Sequence, residues 1–352
     1  MSNTIFDIAV IGAGPAGSTF ARTIADTGRK VLLIDGETKE NMKPCGGLLS
    51  PDAQKYMAKY RMTIPNDILV NPQIFAVDTV DLVAQKATRY QRHYLNMDRY
   101  LFDKYLLSIV PDSVEIVRGR VKSISENPDR YCIEIQLESG EKLTVSSEYI
   151  VGADGASSVV RKSLFQDRIH VKKYVAIQEW FRIEGIEPWY YCIFDEETSD
   201  SCSWFMQKDG YSIFGGAFDP KNNRENYEKQ KQKFAEYIGY SLDNAVKFEA
   251  CLVTSPRKRS DFALSNGKAF LIGEAAGFIS ASSFEGISCA LISGFALSEA
   301  FRNGKDADGI KKIYRKKTLK LRLKLQFKMF KRFVICNPFL RKLIMKSGIT
   351  SV

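Results

Sequence analysis

The segment Gly12-Ala13-Gly14-Pro15-Ala16-Gly17 constrains this chain more than any other stretch of it. An apolar run, Ile5-Phe6-Asp7-Ile8-Ala9-Val10-Ile11, precedes it and reads as a buried strand; residues with helical spacing follow, to about residue 27. A second apolar run, Lys30-Val31-Leu32-Leu33-Ile34, ends in Asp35. Strand, glycine turn, helix, strand and closing acid make a βαβ unit built to hold a dinucleotide. Gly12 permits the tight turn, Gly14 lets the backbone approach a pyrophosphate, and Gly17 lets helix pack on strand. Pro15 and Ala16 open the helix, whose unsatisfied N–H groups face the phosphate charge. Asp35 is placed to accept hydrogen bonds from the ribose hydroxyls.

Two further glycine segments lie far along the chain, Gly152-Ala153-Asp154-Gly155 and Gly273-Glu274-Ala275-Ala276-Gly277, each after an apolar strand-like run. Three such turns meeting around one dinucleotide point to FAD rather than NAD. Asp154 is expected to hold the second crossing near the nucleotide. Glu274 is expected to grip a ribityl hydroxyl, with the following helix aiming its positive end at the flavin pyrimidine ring, where it stabilises the charge of reduced flavin. Arg99 stands in the first turn of a helix expected over 98–109, where a cation needs a pyrophosphate or a carboxylate to compensate it.

The pattern predicts an α/β fold: a Rossmann-type FAD-binding domain, an antiparallel-sheet substrate domain and a C-terminal helical tail. Strands are expected at 114–117, 120–125, 130–137 and 142–151, with Ser139-Gly140 as a hairpin turn. From 166 to 260 aromatic residues become dense and alternation dominates, as in an antiparallel sheet that the segment 68–94 is expected to join. Lys268–Gly273 returns as a short buried strand. The FAD-binding domain is therefore discontinuous, over 1–67, 95–165 and 261–300. The sheet domain takes 68–94 and 166–260, and the tail 301–352.

Composition narrows the chemistry. Only His93 and His170 are present, which argues against a histidine base or a Ser-His-Asp triad. The seven cysteines form no Cys-x-x-Cys pair, so neither a disulfide framework nor a metal site is expected, and a reducing cytoplasm is the natural compartment. No run of about 18 apolar residues predicts a membrane-spanning helix. The net charge of +10 is concentrated at the end: from Phe301 onward there are 16 Lys/Arg against 2 Asp. Thr318–Met329 alternates like a strand, but its helix formers and lack of Gly or Pro favour a helix with leucines spread round it. Such a basic, leucine- and phenylalanine-rich segment suits peripheral contact with the inner face of an anionic membrane, and a nucleic-acid partner is not expected.

Taken together, these motifs resemble the p-hydroxybenzoate-hydroxylase-like FAD superfamily. Lys43-Pro44-Cys45-Gly46-Gly47 is similar to the Pro-Cys-Gly-Gly stretch of its geranylgeranyl reductase family, and Ser203-Trp204-Phe205-Met206-Gln207-Lys208, leading to Gly215-Gly216, to that family's Tyr-x-Trp-x-Phe-Pro…Gly-x-Gly substrate motif. Cys202, Met206, Gln207 and Ala217 depart from it. Along its length the chain looks most like the CbrA-type flavoproteins of that family. The resemblance implies FAD contacts at Ala16, Asp35, Cys45, Gly46, Gly47, Arg99, the backbone of Val121, Glu274, Gly286 and Ile287. It also implies hydride transfer from flavin N5 to an isolated double bond of an isoprenoid or other apolar lipid, with NAD(P)H or a small redox protein as electron donor.

Cys45, beside the isoalloxazine, becomes the first candidate for tuning the flavin or donating a proton. Trp204 is the second candidate catalytic residue, and Trp204, Tyr211 and Phe284 are candidates for the substrate wall. Where the family carries Asp at 274 and Pro in Ser280-Ala281-Ser282-Ser283-Phe284-Glu285-Gly286, this chain differs, which alters the wall over the flavin. Two other functions compete. One is a monooxygenase hydroxylating a small aromatic or polyketide; the other is a non-catalytic flavoprotein bound to membrane or nucleic acid. The chain has no Trp-x-Trp-x-Ile-Pro segment, which argues against halogenation.

Overall fold

In the computed structural model, which describes residues 5–36, 43–165 and 171–347, the first apolar run forms β1 (Ile5–Ile11) and the glycine turn opens α1 (Pro15–Ile24). His170 lies outside the described residues. β2 (Val31–Asp35) is buried throughout and pairs parallel with β1. The chain then crosses to a second sheet through β3 (Leu48–Leu49), α2 (Pro51–Lys59), β4 (Ile74–Asp81) and β5 (Lys86–Asn96). It returns by α3 (Arg99–Ser108), capped by Asp98, whose carboxylate accepts from the Leu101 N–H at 2.9 Å.

β6 (Val114–Glu126), β7 (Tyr131–Leu137) and β8 (Lys142–Gly152) follow, the last two joined through Gly140 at φ 87°. The strands expected at 114–117 and 120–125 are one continuous strand. Its first half pairs parallel with β2, its second half antiparallel with β7, and a bulge lies between Val121 and Ser123. A bulge bends and twists its strand, which lets one strand serve both partners.

After α4 (Val159–Leu164) come β9 (Lys172–Phe181), β10 (Tyr190–Phe194), β11 (Cys202–Lys208), β12 (Tyr211–Phe218), α5 (Asn223–Ile238) and β13 (Lys247–Ser255). β14 (Ser265–Asn266) and β15 (Ala269–Leu271) rejoin the first sheet, where β15 pairs parallel with β8. The chain closes with α6 (Ile287–Asn303), α7 (Ala307–Lys317), α8 (Leu319–Cys336) and α9 (Pro338–Lys346).

The second sheet has the order β13-β9-β12-β11-β10-β4-β5-β3 and is antiparallel except between β4 and β10. Side chains alternate across a strand, so the sheet has two distinct faces. One carries Tyr191, Phe205, Phe214 and Phe218 against Tyr227 and Phe234 of α5. Much of the aromatic density in this stretch of sequence is thus core. The other face carries Trp204 and Met206 of β11, Tyr190 and Cys192 of β10, and Tyr90, Arg92 and Tyr94 of β5 towards the first sheet and its cofactor turns.

The alternating segment of the tail is helical, and the helix resolves the alternation. Residues two apart lie about 200° apart round a helix and residues four apart about 40°. Leu321 and Leu325 therefore bury in the main core, while Leu319, Leu323 and Phe327 stay exposed on the opposite side. Among the described residues, no helix is long and apolar enough to cross a membrane.

Candidate flavin and substrate cavity

The carboxyl ends of β1, β2, β8 and β15 open onto a cavity of about 1130 Å³ that runs on beneath the second sheet. Parallel α/β sheets characteristically bind ligands at this edge. Gly12, Gly14, Pro15, Ala16, Asp35, Asp154, Gly273 and Glu274 line it from the first sheet's turns. Cys45, Gly46, Gly47, Arg99, Gly286 and Ile287 line it from the intervening loops and helix ends, Val121 from β6, and Trp204 and Phe284 from the far wall. Gly17 and Tyr211 are not among the lining residues. Gly17 acts beneath the cavity: a Cβ there would sit 1.9 Å from the Gly12 carbonyl oxygen, so its absence is what lets α1 cross β1. Tyr211 instead packs edge-on against Trp180, with its ring 5.6 Å from the Arg182 guanidinium.

Two observations fit a dinucleotide in this cradle. Gly12, at φ 104°, is pressed against the chain, with the Ala153 carbonyl oxygen 2.6 Å from the position of a Cβ, yet a Cβ on Gly14 would meet nothing within 4 Å. Gly14 thus faces open space at the N-cap of α1, which no side chain caps, where Ala16 and Gly17 have N–H groups without an intrahelical acceptor. In addition, Asp154 gives only one oxygen to the chain. Its Oδ2 accepts from the Val159 and Val160 N–H groups at 2.7 and 3.2 Å, while the buried Oδ1 has no partner. Burial pushes this carboxyl above its ordinary value against the pull of those donors.

Near the expected flavin end, Arg99 has its compensating anion in the chain itself. Asp103, one turn on, accepts from Nε and from a terminal guanidinium nitrogen at 2.8 and 3.0 Å. Burial works against the arginine's charge, but Asp103 and the adjacent Cys45 thiol offset it and hold the guanidinium firmly protonated. The Cys45 sulfur accepts from the Gly47 N–H at 3.4 Å. Gly46 lies against the second sheet, where a Cβ would come within 2.6 Å of Met206 Cε. The turn is underpinned by Lys208, whose Nζ donates to Asn96 Oδ1 at 2.8 Å and to the Met97 carbonyl. Burial brings that ammonium down to about 8.

Glu274 lines the cavity as expected for a residue that meets the ribityl chain, and its carboxylate also has partners within the protein. Oε1 accepts from Thr254 N–H and Oγ1 at 2.8 and 3.1 Å, and Oε2 accepts from Lys43 Nζ at 2.6 Å. The methylene that distinguishes it from Asp lets it tie β13 to the 43–47 loop. Trp204 donates its indole N–H to Gln178 Oε1 at 3.0 Å, and Gln178 in turn donates to Glu249 at 2.8 Å. Its ring lies over Gly215, where a Cβ would approach the indole to 2.5 Å. Phe284 lies on the wall at φ 51°, an unusual conformation for an aromatic residue, with its ring 5.7 Å from that of Tyr174.

Lys208, Thr254, Gln178 and Asp103 escaped the sequence reading. Only Asp103 had a local signal, its four-residue spacing from Arg99. The others act across strand pairings that no local pattern reveals.

Residues 117–301 match the FAD binding domain family, and residues 6–175 match the pyridine nucleotide-disulphide oxidoreductase family. The CbrA protein of Escherichia coli O6:H1 (strain CFT073) is 42% identical over 352 residues, covering 99% of this chain and 94% of the relative. Solved structures share the fold. A geranylgeranyl bacteriochlorophyll reductase-like protein of Thermoplasma acidophilum superposes with a TM-score of 0.81 at 15% identity, covering 97% of this chain and 91% of the other. The p-nitrophenol 4-monooxygenase PnpA of Pseudomonas putida DLL-E4 gives 0.68 at 16% identity, covering 98% and 93%.

Proposed function

Since the chain belongs to the CbrA family of FAD-dependent oxidoreductases, we propose that it reduces carbon–carbon double bonds of an isoprenoid or similarly apolar lipid. The observation that carries this reading is the continuity of the cavity. It joins the glycine cradle to an apolar wall of Tyr94, Tyr190, Phe194, Trp204, Met206 and Phe284. A hydrocarbon chain laid along that wall gains about 0.8 kcal/mol per buried methylene, enough to select it by length. Bound FAD would supply the hydride, with NAD(P)H or a small redox protein as the source of its electrons. Cys45 supplies the proton to the second carbon from its thiol, which lies beside the Arg99 guanidinium. Trp204, fixed by Gln178, bounds the space in which the double bond lies.

Anaerobic incubation of the reduced holoprotein with a polyprenyl lipid tests this. The expected product, by mass spectrometry, gains two hydrogens per double bond. In a parallel incubation in air, stoichiometric oxygen uptake with a hydroxylated product would replace the reading with monooxygenation.

We also infer that the tail meets the membrane that holds such a lipid. Phe327, Phe330 and Phe333 of α8 and Phe339 of α9 are 63–70% exposed, among the lysines and arginines of the same helices. That combination suits an anionic bilayer surface. Truncation is a poor test, because Leu321, Leu325 and Arg341 are buried. A Phe327→Ser/Phe330→Ser/Phe333→Ser variant is expected to lose co-sedimentation with anionic vesicles while remaining folded. Undiminished sedimentation would remove the tail from membrane contact.

A further inference from the structure

α8 presents more than an exposed apolar side. Lys328 and Lys331 of α8 line the cavity, as does Arg92 of β5. The three cations come from the second sheet and the tail, none from the glycine cradle that suits a dinucleotide. Arg92 lies with its guanidinium 5.2 Å from the centre of the Tyr94 ring, and its Nε is buried without a hydrogen-bond partner. Among the described residues, none of the three forms an ion pair.

The carboxylates whose fields reach Arg92 are Glu285 and Asp52. Asp52 pairs with Lys324, and Glu285, on the same cavity wall, accepts at Oε1 from the Ser50 and Ser288 hydroxyls, so one carboxylate faces the three cations. Like charges facing one cavity repel each other, an arrangement that an anion relieves.

We propose that Arg92, Lys328 and Lys331 form a binding site for the anionic head, a phosphate or carboxylate, of an amphiphilic substrate whose apolar body lies along the aromatic wall. Burial, then the neighbouring charges of Lys328 and Arg92, push the Lys331 ammonium down to about 8, the mutual repulsion that a bound anion would offset. The orientation follows, with the head at α8 and the tail running past Tyr94 and Tyr190 towards Trp204. This assignment rests on the cavity being the substrate site, as proposed above, but not on the reduction chemistry.

Calorimetric titration of the FAD-loaded protein with decyl phosphate, decanol and inorganic phosphate tests it. Decyl phosphate is expected to bind roughly tenfold or more tightly than decanol, the effect of one or more charge-assisted hydrogen bonds. A Lys328→Gln/Lys331→Gln variant should lose that preference with FAD content unchanged. A Lys311→Gln/Lys312→Gln variant, which removes the same charge from exposed positions on α7, should keep it. Equal affinity for the two decyl probes overturns the site, as does a preference that survives in the Lys328/Lys331 variant. Inorganic phosphate binding as tightly as decyl phosphate overturns the amphiphile and leaves a free-phosphate site. If the phosphate preference holds but no lipid is reduced, the anion site stands and the reductase reading alone falls.

Discussion

A Gly14→Val variant is expected to fold and to purify without FAD. Gly14 has φ −66° and ψ −175°, an extended conformation open to any residue, and a Cβ there would meet no atom of the chain within 4 Å. The fold therefore accepts the side chain. The space it would fill lies at the N-terminus of α1, where a pyrophosphate must approach the backbone. Losing that approach is expected to weaken FAD by on the order of 100-fold or more, about 2.7 kcal/mol. Absorbance near the flavin band reports the loss and a thermal melt reports the retained fold. Gly17→Val is the contrasting control: its Cβ would lie 1.9 Å from the Gly12 carbonyl oxygen, so the fold itself should fail. Stoichiometric FAD in Gly14→Val would remove the phosphate from this turn.

The second large effect is expected at Arg341, in the part of the chain that composition alone describes as a charged tail. Its side chain is 2% exposed. Nε donates to Asp81 at 2.8 Å, a second nitrogen to Glu196 at 2.5 Å and a third to the Ile335 carbonyl at 3.0 Å. The Phe194 ring lies 5.3 Å away. Asp81 is fully buried, so Arg341→Met leaves its charge in the interior without a counter-ion. Breaking such a pair from one side costs about 3–5 kcal/mol. Chemical denaturation should show that loss, and Asp81→Asn/Arg341→Met should recover part of it because the stranded charge is gone. An unchanged stability in the single variant would mean that Asp81 and Glu196 do not depend on this arginine. The glycine cradle lies in a different sheet, so FAD content should survive the substitution.

These two positions mark how far the sequence could be read. Gly14 was legible because the turn's sterics involve residues close in the chain, with a strand before and a helix after. Asp35, Gly152 and Gly273 were legible for the same reason, each standing at the end of an apolar run. The strand-like alternation of α8 was readable as a helix from its formers, although which leucines would be buried was not. Arg341 looked like any other basic residue near the end of the chain. Its role depends on Asp81, Glu196 and Phe194, contributed by the distant strands β4 and β10 and the turn beyond β10.

Glu274 shows the same limit within a motif that the sequence did locate. Its place in a cofactor turn was evident, yet the partners Thr254 and Lys43, which make it also a tie between its turn and β13, were not. By itself the sequence determined the dinucleotide cradle, the α/β class and the helical tail, because backbone sterics and side-chain periodicity are written locally. Only the tertiary structure decided which charges are paired and which face the cavity, because electrostatic partners are chosen by proximity in space. Arg99 is held by Asp103 and Arg341 by Asp81, while Arg92, Lys328 and Lys331 are brought to one cavity from strand and helix more than 200 residues apart.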